Sequence, residues 1–210
     1  MGRLRFGIVV VATMAILATA PGVIAWSQLY NNFPDSPTSC TNSDPWYCVR
    51  WPKNGSQSST VNIYLDSSLA NANINLTTDM QTAINQGHMV CAANPILRVV
   101  SSNTNAAIQE YRGVLQDPSA WAETEVINSD TYPNTIVQAT TRFNYLVTWN
   151  RSLVFDQTHA DARKVATHEL GHAEGLGHTS YTAVMHQGAT TYWAVQTNDV
   201  QGMQAVYGSC

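Results

Sequence analysis

The chain has 210 residues, enough for one domain with a substantial core preceded by a targeting segment. Charged residues make up 11% of the chain and the formal net charge is −4, so the composition offers no basic surface for nucleic acid. The polar side chains are instead mostly Ser, Thr, Asn and Gln, which suits an exported protein.

Residues 1–25 have the pattern of a secretory signal peptide. Arg3 and Arg5 give a basic start, residues 6–20 are mostly apolar, and small residues follow, so we place the cut after Ala25. The apolar run is short for a membrane span, and an uncleaved anchor is the alternative. We therefore expect a secreted, extracellular and monomeric chain that has no membrane contact once the signal is removed.

Residues 26–45 are rich in Asn, Ser, Pro and Asp, and we interpret them as an ordered loop or a short pro-segment before a domain at 46–210. Four cysteines in an exported chain indicate disulfides. Short loop closure favours pairing Cys40 with Cys48, which leaves Cys91 with Cys210, although four cysteines allow three pairings. The alternative is that a cysteine just before the domain reaches the metal site as a free thiol.

The first half of the domain alternates strand and helix patterns. Apolar residues at every second position predict a first strand, and a helix capped by Thr77 or Thr78 follows and ends before Pro95. His88, in the last turn of that helix, is interpreted as a surface histidine. Strands are predicted at residues 61–65, 96–100, 107–111, 124–127 and 135–144, with turns at 116–118 and 129–133.

The second helix begins with a Thr-x-x-Asp start signal at Thr158 and Asp161. Small and apolar residues then recur on one face: Ala162, Val165, Ala166, Leu170 and Ala173. This stripe predicts that the helix packs under the sheet. We interpret His159, in its first turn, as structural or exposed, and Glu174, at its end, as a surface residue.

The same helix carries the pattern H-E-x-x-H-x-x-G-x-x-H at residues 168–178. Residues four apart lie on one helix face, about 6 Å apart along the axis, so His168 and His172 can offer imidazoles to one point. A straight helix would carry His178 away from that point. Gly175 lets the chain turn back, because glycine adopts positive φ without a Cβ penalty.

Three neutral nitrogen ligands suit Zn²⁺, and three protein ligands leave one coordination position for water, as in catalytic zinc sites. Glu169 lies one step round the helix, where its carboxylate can take a proton from that water. The alternative is an ordinary helix end that happens to contain histidines. The matching positions of Gly175 and His178 argue against that alternative.

The segment after the motif supplies a methionine, Met185, within Ala-Val-Met-His. Tyr192 and Trp193 follow, and they either form the wall of a substrate pocket or belong to the core. Asn198 is predicted to cap a last helix that ends at Gly208.

The sequences HELGHAEGLGH, AVMHQG and NDVQGMQAVYG together resemble the metzincin zinc endopeptidases and, within them, the matrixins. The resemblance implies an α+β catalytic domain with a twisted, mixed five-stranded sheet, three main helices and zinc in a cleft below an edge strand. It implies that His168, His172 and His178 are the zinc ligands. It further implies that Glu169 is the catalytic acid and base and that Met185 is the Met-turn residue beneath the ion.

The resemblance also implies a polypeptide substrate that adds as an antiparallel strand to the sheet edge, which we assign to residues 135–144. Loops of matrixins carry calcium, and Asp117, Asp130 and Asp156 are conceivable ligands, with solvated turn residues as the alternative. A PRCG-like cysteine switch is missing from the sequence, which puts latency by that route in doubt. No upstream histidine cluster is present for a second, structural zinc, so we predict one zinc.

These patterns predict a secreted zinc endopeptidase that hydrolyses peptide bonds with zinc-activated water and a glutamate base. Two alternatives stay open. One is a zinc hydrolase of a non-peptide amide or ester, and the other is a secreted binding module that zinc stabilises without turnover.

Overall fold

Strands and helices follow one another much as the sequence patterns predict. The computed structural model describes residues 9–15, 49–52, 59–87, 95–132, 134–156, 158–179 and 181–208. The strands are β1 (Val9–Ala15), β2 (Thr60–Leu65), β3 (Ile96–Val100), β4 (Ile108–Gly113), β5 (Ala120–Asn128), β6 (Ile136–Asn144), β7 (Thr148–Asn150) and β8 (His159–Asp161). The helices are α1 (Leu76–Gly87), α2 (Ala162–Ala173) and α3 (Thr197–Tyr207), with 3-10 turns at Ser67–Asn71 and Asn103–Asn105.

Strands β2 to β6 form the mixed sheet of the domain. Their order across the sheet is β3-β2-β4-β6-β5, in which the first four strands are parallel and β5 is antiparallel to β6. The short strands β7 and β8 form a separate parallel pair. This mixed five-stranded sheet with three helices confirms the predicted α+β fold.

Among these five strands β3 and β5 are the outer ones, and the assignment of the edge to residues 135–144 is wrong. Those residues form β6, which pairs with β4 on one side and with β5 on the other, so its backbone groups are already used. The assignment failed because closeness in sequence to α2 does not determine strand order. The backbone of β1 pairs antiparallel with the outer side of β5, from Val9 opposite Ile127 to Ala15 opposite Ala120.

Several predictions concern residues that lie wholly or partly outside the described ranges. Of the predicted signal peptide only residues 9–15 are described, so cleavage after Ala25 stays a prediction. The segment 26–45, His88 and all four cysteines lie outside the described residues. Among the helices that are described, none is long and apolar enough to cross a membrane.

One face of the sheet is covered by α1 and α2, and the core lies between these layers. Inward strand positions carry Val61, Ile63, Ile108, Val126 and Ala139, all buried. They form one cluster with apolar residues of both helices. The predicted stripe of α2 is buried along its whole length, and each fully buried Leu, Ile or Val contributes about 1.5–3 kcal/mol. The helix that carries the histidine motif is therefore held firmly against the sheet.

The helix starts differ by a few residues from the predicted caps. Helix α1 begins at Leu76, and the Asn75 side chain accepts the N–H of Thr77 at 3.0 Å, so the cap precedes both predicted threonines. The start signal at Thr158 predicts α2 too early: the N-cap is Asp161, and His159 lies in β8 rather than in the first turn of the helix. Helix α3 is capped at Gln196 rather than at Asn198, with a reciprocal capping box that uses an acidic residue in its first turn.

Candidate metal centre and active site

The three histidines of the motif converge on one point. The Nε2 atoms of His168 and His172 are 3.0 Å apart, and each lies 3.1 Å from Nε2 of His178. The two rings on α2 are completely buried. Among the described residues, these three form the one group of three or more His, Cys, Asp or Glu side chains that brings its ligand atoms together.

Hydrogen bonds at the second ring nitrogen fix how the two α2 histidines point. Nδ1 of His168 donates to the carbonyl of Val184 at 2.7 Å, and Nδ1 of His172 donates to the carbonyl of Leu176 at 2.7 Å. A carbonyl oxygen only accepts, so the proton is on Nδ1 and each Nε2 presents a lone pair. Burial lowers the pKa of His172 to about 4 and that of His178 to about 2, so both rings are neutral at pH 7.

Lone pairs that face one another at this distance fit a cation. The triangle of nitrogens, with sides of 3.0 to 3.1 Å, has a circumradius of about 1.8 Å, shorter than a Zn–N bond of about 2.0–2.1 Å. His168, His172 and His178 would therefore be able to hold one such ion through their Nε2 atoms. The donor set fits Zn²⁺ and is that of an open site, since structural zinc normally has four protein ligands.

The chain turns back at Gly175, as predicted. Gly175 has φ +96°, and its N–H donates to the carbonyl of His172 at 2.9 Å where α2 ends. A Cβ at this position would collide with the carbonyl oxygen of Val49. Glycine is thus required at this position for two reasons: the positive φ, and the lack of room for a Cβ atom. The turn brings His178 to the other two rings.

We expect Gly175→Ala to lower the free energy of unfolding by more than about 1–3 kcal/mol, the range for strained backbone alone, and to weaken zinc binding by displacing His178. Gly188→Ala is the matched control, because Gly188 also has positive φ, at +84°, but has nothing within 4 Å of a built Cβ. Urea unfolding of both variants, with zinc titration, measures the effect. Equal losses in the two variants would contradict the steric argument.

Glu169 is completely buried and contacts the sheet above α2. Its Oε2 accepts a hydrogen bond from the Thr124 hydroxyl of β5 at 2.7 Å, whereas Oε1 forms no hydrogen bond with a described residue. Burial raises the pKa of Glu169 to about 8, against the lowering effect of the Thr124 hydrogen bond. One carboxyl oxygen is therefore anchored, and the other is free to act on a reacting group.

The methionine predicted to lie beneath the metal site packs against α2. A Cβ on Gly171 would collide with the sulfur of Met185, so the glycine between the two helix histidines makes room for this side chain. The N–H groups of Val184 and Met185 donate to the buried carboxylate of Asp199 on α3, at 2.9 and 3.0 Å. Sequence reasoning named Met185 but missed Gly171 and Asp199.

We expect Asp199→Asn to destabilise the protein by about 1–3 kcal/mol. The carboxylate accepts three N–H groups, those of Val184, Met185 and Gln196, whereas an amide offers one oxygen and turns an NH₂ group toward the remaining donors. Gln201→Asn, at an exposed position of the same helix, is the control and should change stability by less than about 0.5 kcal/mol. Urea denaturation measures both, and equal stabilities would refute the assigned role.

Lys164 is a third residue that sequence reasoning missed. It is completely buried one turn before His168, and its Nζ lies 2.9 Å from Nδ1 of that histidine. It also donates to the carbonyls of Val184 at 2.5 Å and His186 at 3.2 Å. Lys164 therefore joins α2 to the segment that contains Met185. Its spacing of four residues from His168, on one helix face, was the signal available in the sequence.

The prediction of a surface role for Glu174 is wrong. The residue is completely buried, because α3 packs over the end of α2 and the Tyr207 hydroxyl donates to the Glu174 carbonyl at 2.8 Å. His159 lies partly exposed beside Asp156, with its Nδ1 2.9 Å from Oδ1 of that aspartate. The guanidinium of Arg163 stacks on the ring of Trp193 at 4.9 Å, so this tryptophan packs against the start of α2.

The aspartates considered for calcium act within their own turns. Asp117 accepts from the N–H and hydroxyl of Ser119, and Asp156 accepts from the N–H groups of the following Thr158 and His159. In the described ranges these aspartates do not gather into a cluster of three or more acidic or histidine ligands. A calcium site stays unassigned.

A mixed sheet over a helix that presents two of three convergent histidines, with a methionine packed beneath them, defines a protein of the metzincin class. A sequence model of the matrixin family matches residues 66–208, about two thirds of the chain. The chain belongs to the matrixin family.

Two curated relatives share a short stretch with this chain. Matrix metalloproteinase-19 of Mus musculus is 44% identical over 50 residues, which is 22% of this chain and 10% of the relative. Matrix metalloproteinase-19 of Homo sapiens is 42% identical over 50 residues, with the same shares. The chain therefore matches about a tenth of the length of these relatives.

Proposed function

We propose that this protein is a secreted zinc-dependent endopeptidase. The observation that carries the proposal is the convergence of three imidazole nitrogens within 3.1 Å of one another. Next to them is a buried glutamate, one oxygen of which forms no hydrogen bond within the described part of the chain. Membership in the matrixin family supports the same chemistry. Export after cleavage at Ala25, one zinc per chain and a monomeric state belong to the proposal.

The chain supplies three ligands and one base. His168, His172 and His178 would hold Zn²⁺ as neutral imidazoles. When bound, the ion supplies Lewis-acid chemistry, since it makes a water molecule more acidic and polarises the scissile carbonyl.

Glu169 carries the proton in the proposed reaction. Its free Oε1 accepts a proton from the attacking water as the C–O bond forms, and the same carboxyl group then gives that proton to the leaving amine as the C–N bond breaks. Thr124 holds Oε2 throughout, at 2.7 Å, so the proton is exchanged at one oxygen. The reaction needs no acyl-enzyme.

We further propose that the polypeptide substrate adds as an antiparallel strand to β5 rather than to β6. The antiparallel pairing of seven residues of β1 with β5 supports this choice, because it indicates that the outer side of β5 can accept a strand. Thr124 is a β5 residue, so a strand on this edge runs past Glu169. Removal of the signal segment, which includes β1, would leave that edge to the substrate.

The deciding experiment is digestion of unfolded casein by the exported, purified protein. Cleavage should occur with Zn²⁺, stop with a chelator, and return when Zn²⁺ is restored, and mass spectrometry of the fragments gives the cleavage sites. Intact casein in every arm, with zinc bound, would favour a binding module. Turnover of small amides or esters with intact peptides would favour the non-peptide hydrolase.

A further inference from the structure

A row of polar side chains crosses three strands of the sheet and ends on the proposed catalytic base. Glu110 of β4 is directly opposite Thr141 of β6, and Thr141 is directly opposite Thr124 of β5. All three side chains are completely buried. The hydroxyls of Thr141 and Thr124 are 2.9 Å apart, and that of Thr124 lies 2.7 Å from Oε2 of Glu169.

The adjacent row on the same face of the sheet is apolar. It consists of Ile63, Ile108, Ala139 and Val126, which are paired in the same register and are all buried. Apolar side chains therefore fit at buried positions on this face of the sheet. A buried carboxyl group at Glu110 costs stability relative to an apolar side chain of similar size, so stability alone does not account for it.

The number of protons in the row sets the direction of its hydrogen bonds. The Thr124 hydroxyl lies 2.7 Å from Oε2 of Glu169. When Glu169 is ionised, as a base beside a bound cation is, it only accepts, so the one hydroxyl proton of Thr124 is donated to Oε2. Thr124 must then accept from Thr141, whose own single proton is used in doing so. The oxygen of Thr141 is left as an acceptor, and a neutral acid at Glu110 can donate to it, whereas a carboxylate cannot.

The surroundings of Glu110 agree with a neutral acid. Neither of its carboxyl oxygens completes a hydrogen bond of normal geometry with a described residue, although the Thr141 hydroxyl is close enough to act on its pKa in the lowering direction. Burial is the dominant effect and raises the pKa of Glu110 well above its ordinary value, and the charge of Glu169 raises it further. The last torsion of a glutamate is soft, so rotation can direct the acid O–H to Thr141.

We propose that Glu110 is a positioning residue: as a neutral carboxylic acid it donates to Thr141, so that both threonine hydroxyls point toward Glu169 and hold its Oε2 in place. The catalytic consequence rests on the proposed peptidase function, but the hydrogen bonding does not. An anchored Oε2 leaves Oε1 in one orientation for the attacking water. Loss of the row would let the Glu169 carboxyl group rotate without removing it.

Infrared difference spectroscopy of the zinc-loaded protein tests the hydrogen bonding directly. At neutral pH, the difference between the wild type and Glu110→Gln should contain the carbonyl band of a protonated carboxylic acid, and this band should shift in Thr124→Val. A carboxylate band from Glu110, or an acid band that Thr124→Val leaves unmoved, overturns the proposal. This measurement needs no turnover, so an inactive protein with a shifting acid band would refute only the peptidase function.

Kinetics of peptide cleavage tests the positioning role. Glu110→Leu and Thr141→Val should lower kcat by about 10-fold, as for other outer partners of a reacting group, with KM and zinc content unchanged. Glu110→Gln should stay within about twofold of wild type, because the amide N–H₂ still donates to Thr141. Ile108→Val, in the adjacent row, is the control and should keep the wild-type kcat.

Thermal unfolding separates positioning from a merely structural role. Glu110→Leu replaces a buried carboxyl group, which is costly to bury, by an apolar side chain of similar size, so its Tm should equal or exceed that of wild type while kcat falls. A structural role predicts that Tm and kcat fall together. A wild-type kcat in Glu110→Leu would overturn the positioning role.

Discussion

Glu169→Gln will leave zinc bound and reduce kcat by at least about 10²–10⁴-fold, the range of general acid–base catalysis. The amide oxygen of glutamine can still accept the Thr124 hydrogen bond that Oε2 accepts now, so the fold and the three histidines are undisturbed. The amide cannot take up a proton, and the proposed reaction depends on that step. Metal analysis and steady-state kinetics with a peptide substrate measure the two effects separately.

Glu125→Gln is the matched control for this variant. Glu125 lies on the same strand as Thr124 and forms an ion pair with Arg142 at 2.9 Å, on the opposite face of the sheet from α2. The same chemical change there should alter kcat little, since partly exposed ion pairs contribute about 0–1 kcal/mol to stability. If Glu169→Gln retains wild-type kcat with zinc bound, the assignment of the base is wrong.

His172→Ala will lose the metal as well as the activity. Two ligand nitrogens bind a cation much less firmly than three, and the loss of affinity should exceed the about 100-fold upper limit seen for residues that only support a ligand. Metal content after gel filtration, together with zinc-dependent stabilisation against heat, measures it. Circular dichroism checks that the variant is folded, because removal of a buried ring also leaves a cavity.

His178→Ala repeats this test outside the helix, where the side chain is less deeply buried, and it should also release zinc. His159→Ala is the control, because the His159 side chain is partly exposed and its Nδ1 contacts the nearby side chains of Thr158 and Asp156. It should keep both zinc and turnover. Full zinc content in His172→Ala would show that the three imidazoles do not share one ion.

Two groups of residues contact the site from opposite sides of α2: the polar row that runs from Glu110 to Glu169, and the residues that fix the backbone around Met185. Thr124 of the sheet holds the proposed base from one side of α2. From the other, Asp199 of α3 fixes the backbone at Met185, and Lys164 ties Val184 to the helix. The open site therefore lies between rigid elements, as a reaction that depends on orientation requires.

Inward strand positions that hold polar residues were a signal that sequence reasoning did not use. The strand over residues 107–111 was predicted from its pattern, and Glu110 occupies the same face as Ile108. A carboxyl group where alternation requires an apolar side chain indicates either a wrong strand or a special role. Its partners could not be named, because the register of β4, β6 and β5 is a property of the assembled sheet.

The sequence by itself predicted the three convergent histidines, the glutamate proposed as base and the family resemblance, because helical spacing and a glycine with positive φ fix local geometry within eleven residues. It also determined most strands and the buried stripe of α2, since alternation and helical periodicity are local signals. Only the tertiary structure decided that β5 and not β6 is an outer strand, that Glu174 is buried, and that Asp199, Lys164 and Thr124 contact the site. Those features depend on which distant segments pack together, and strand order and register are set by the whole sheet rather than by any one stretch of chain.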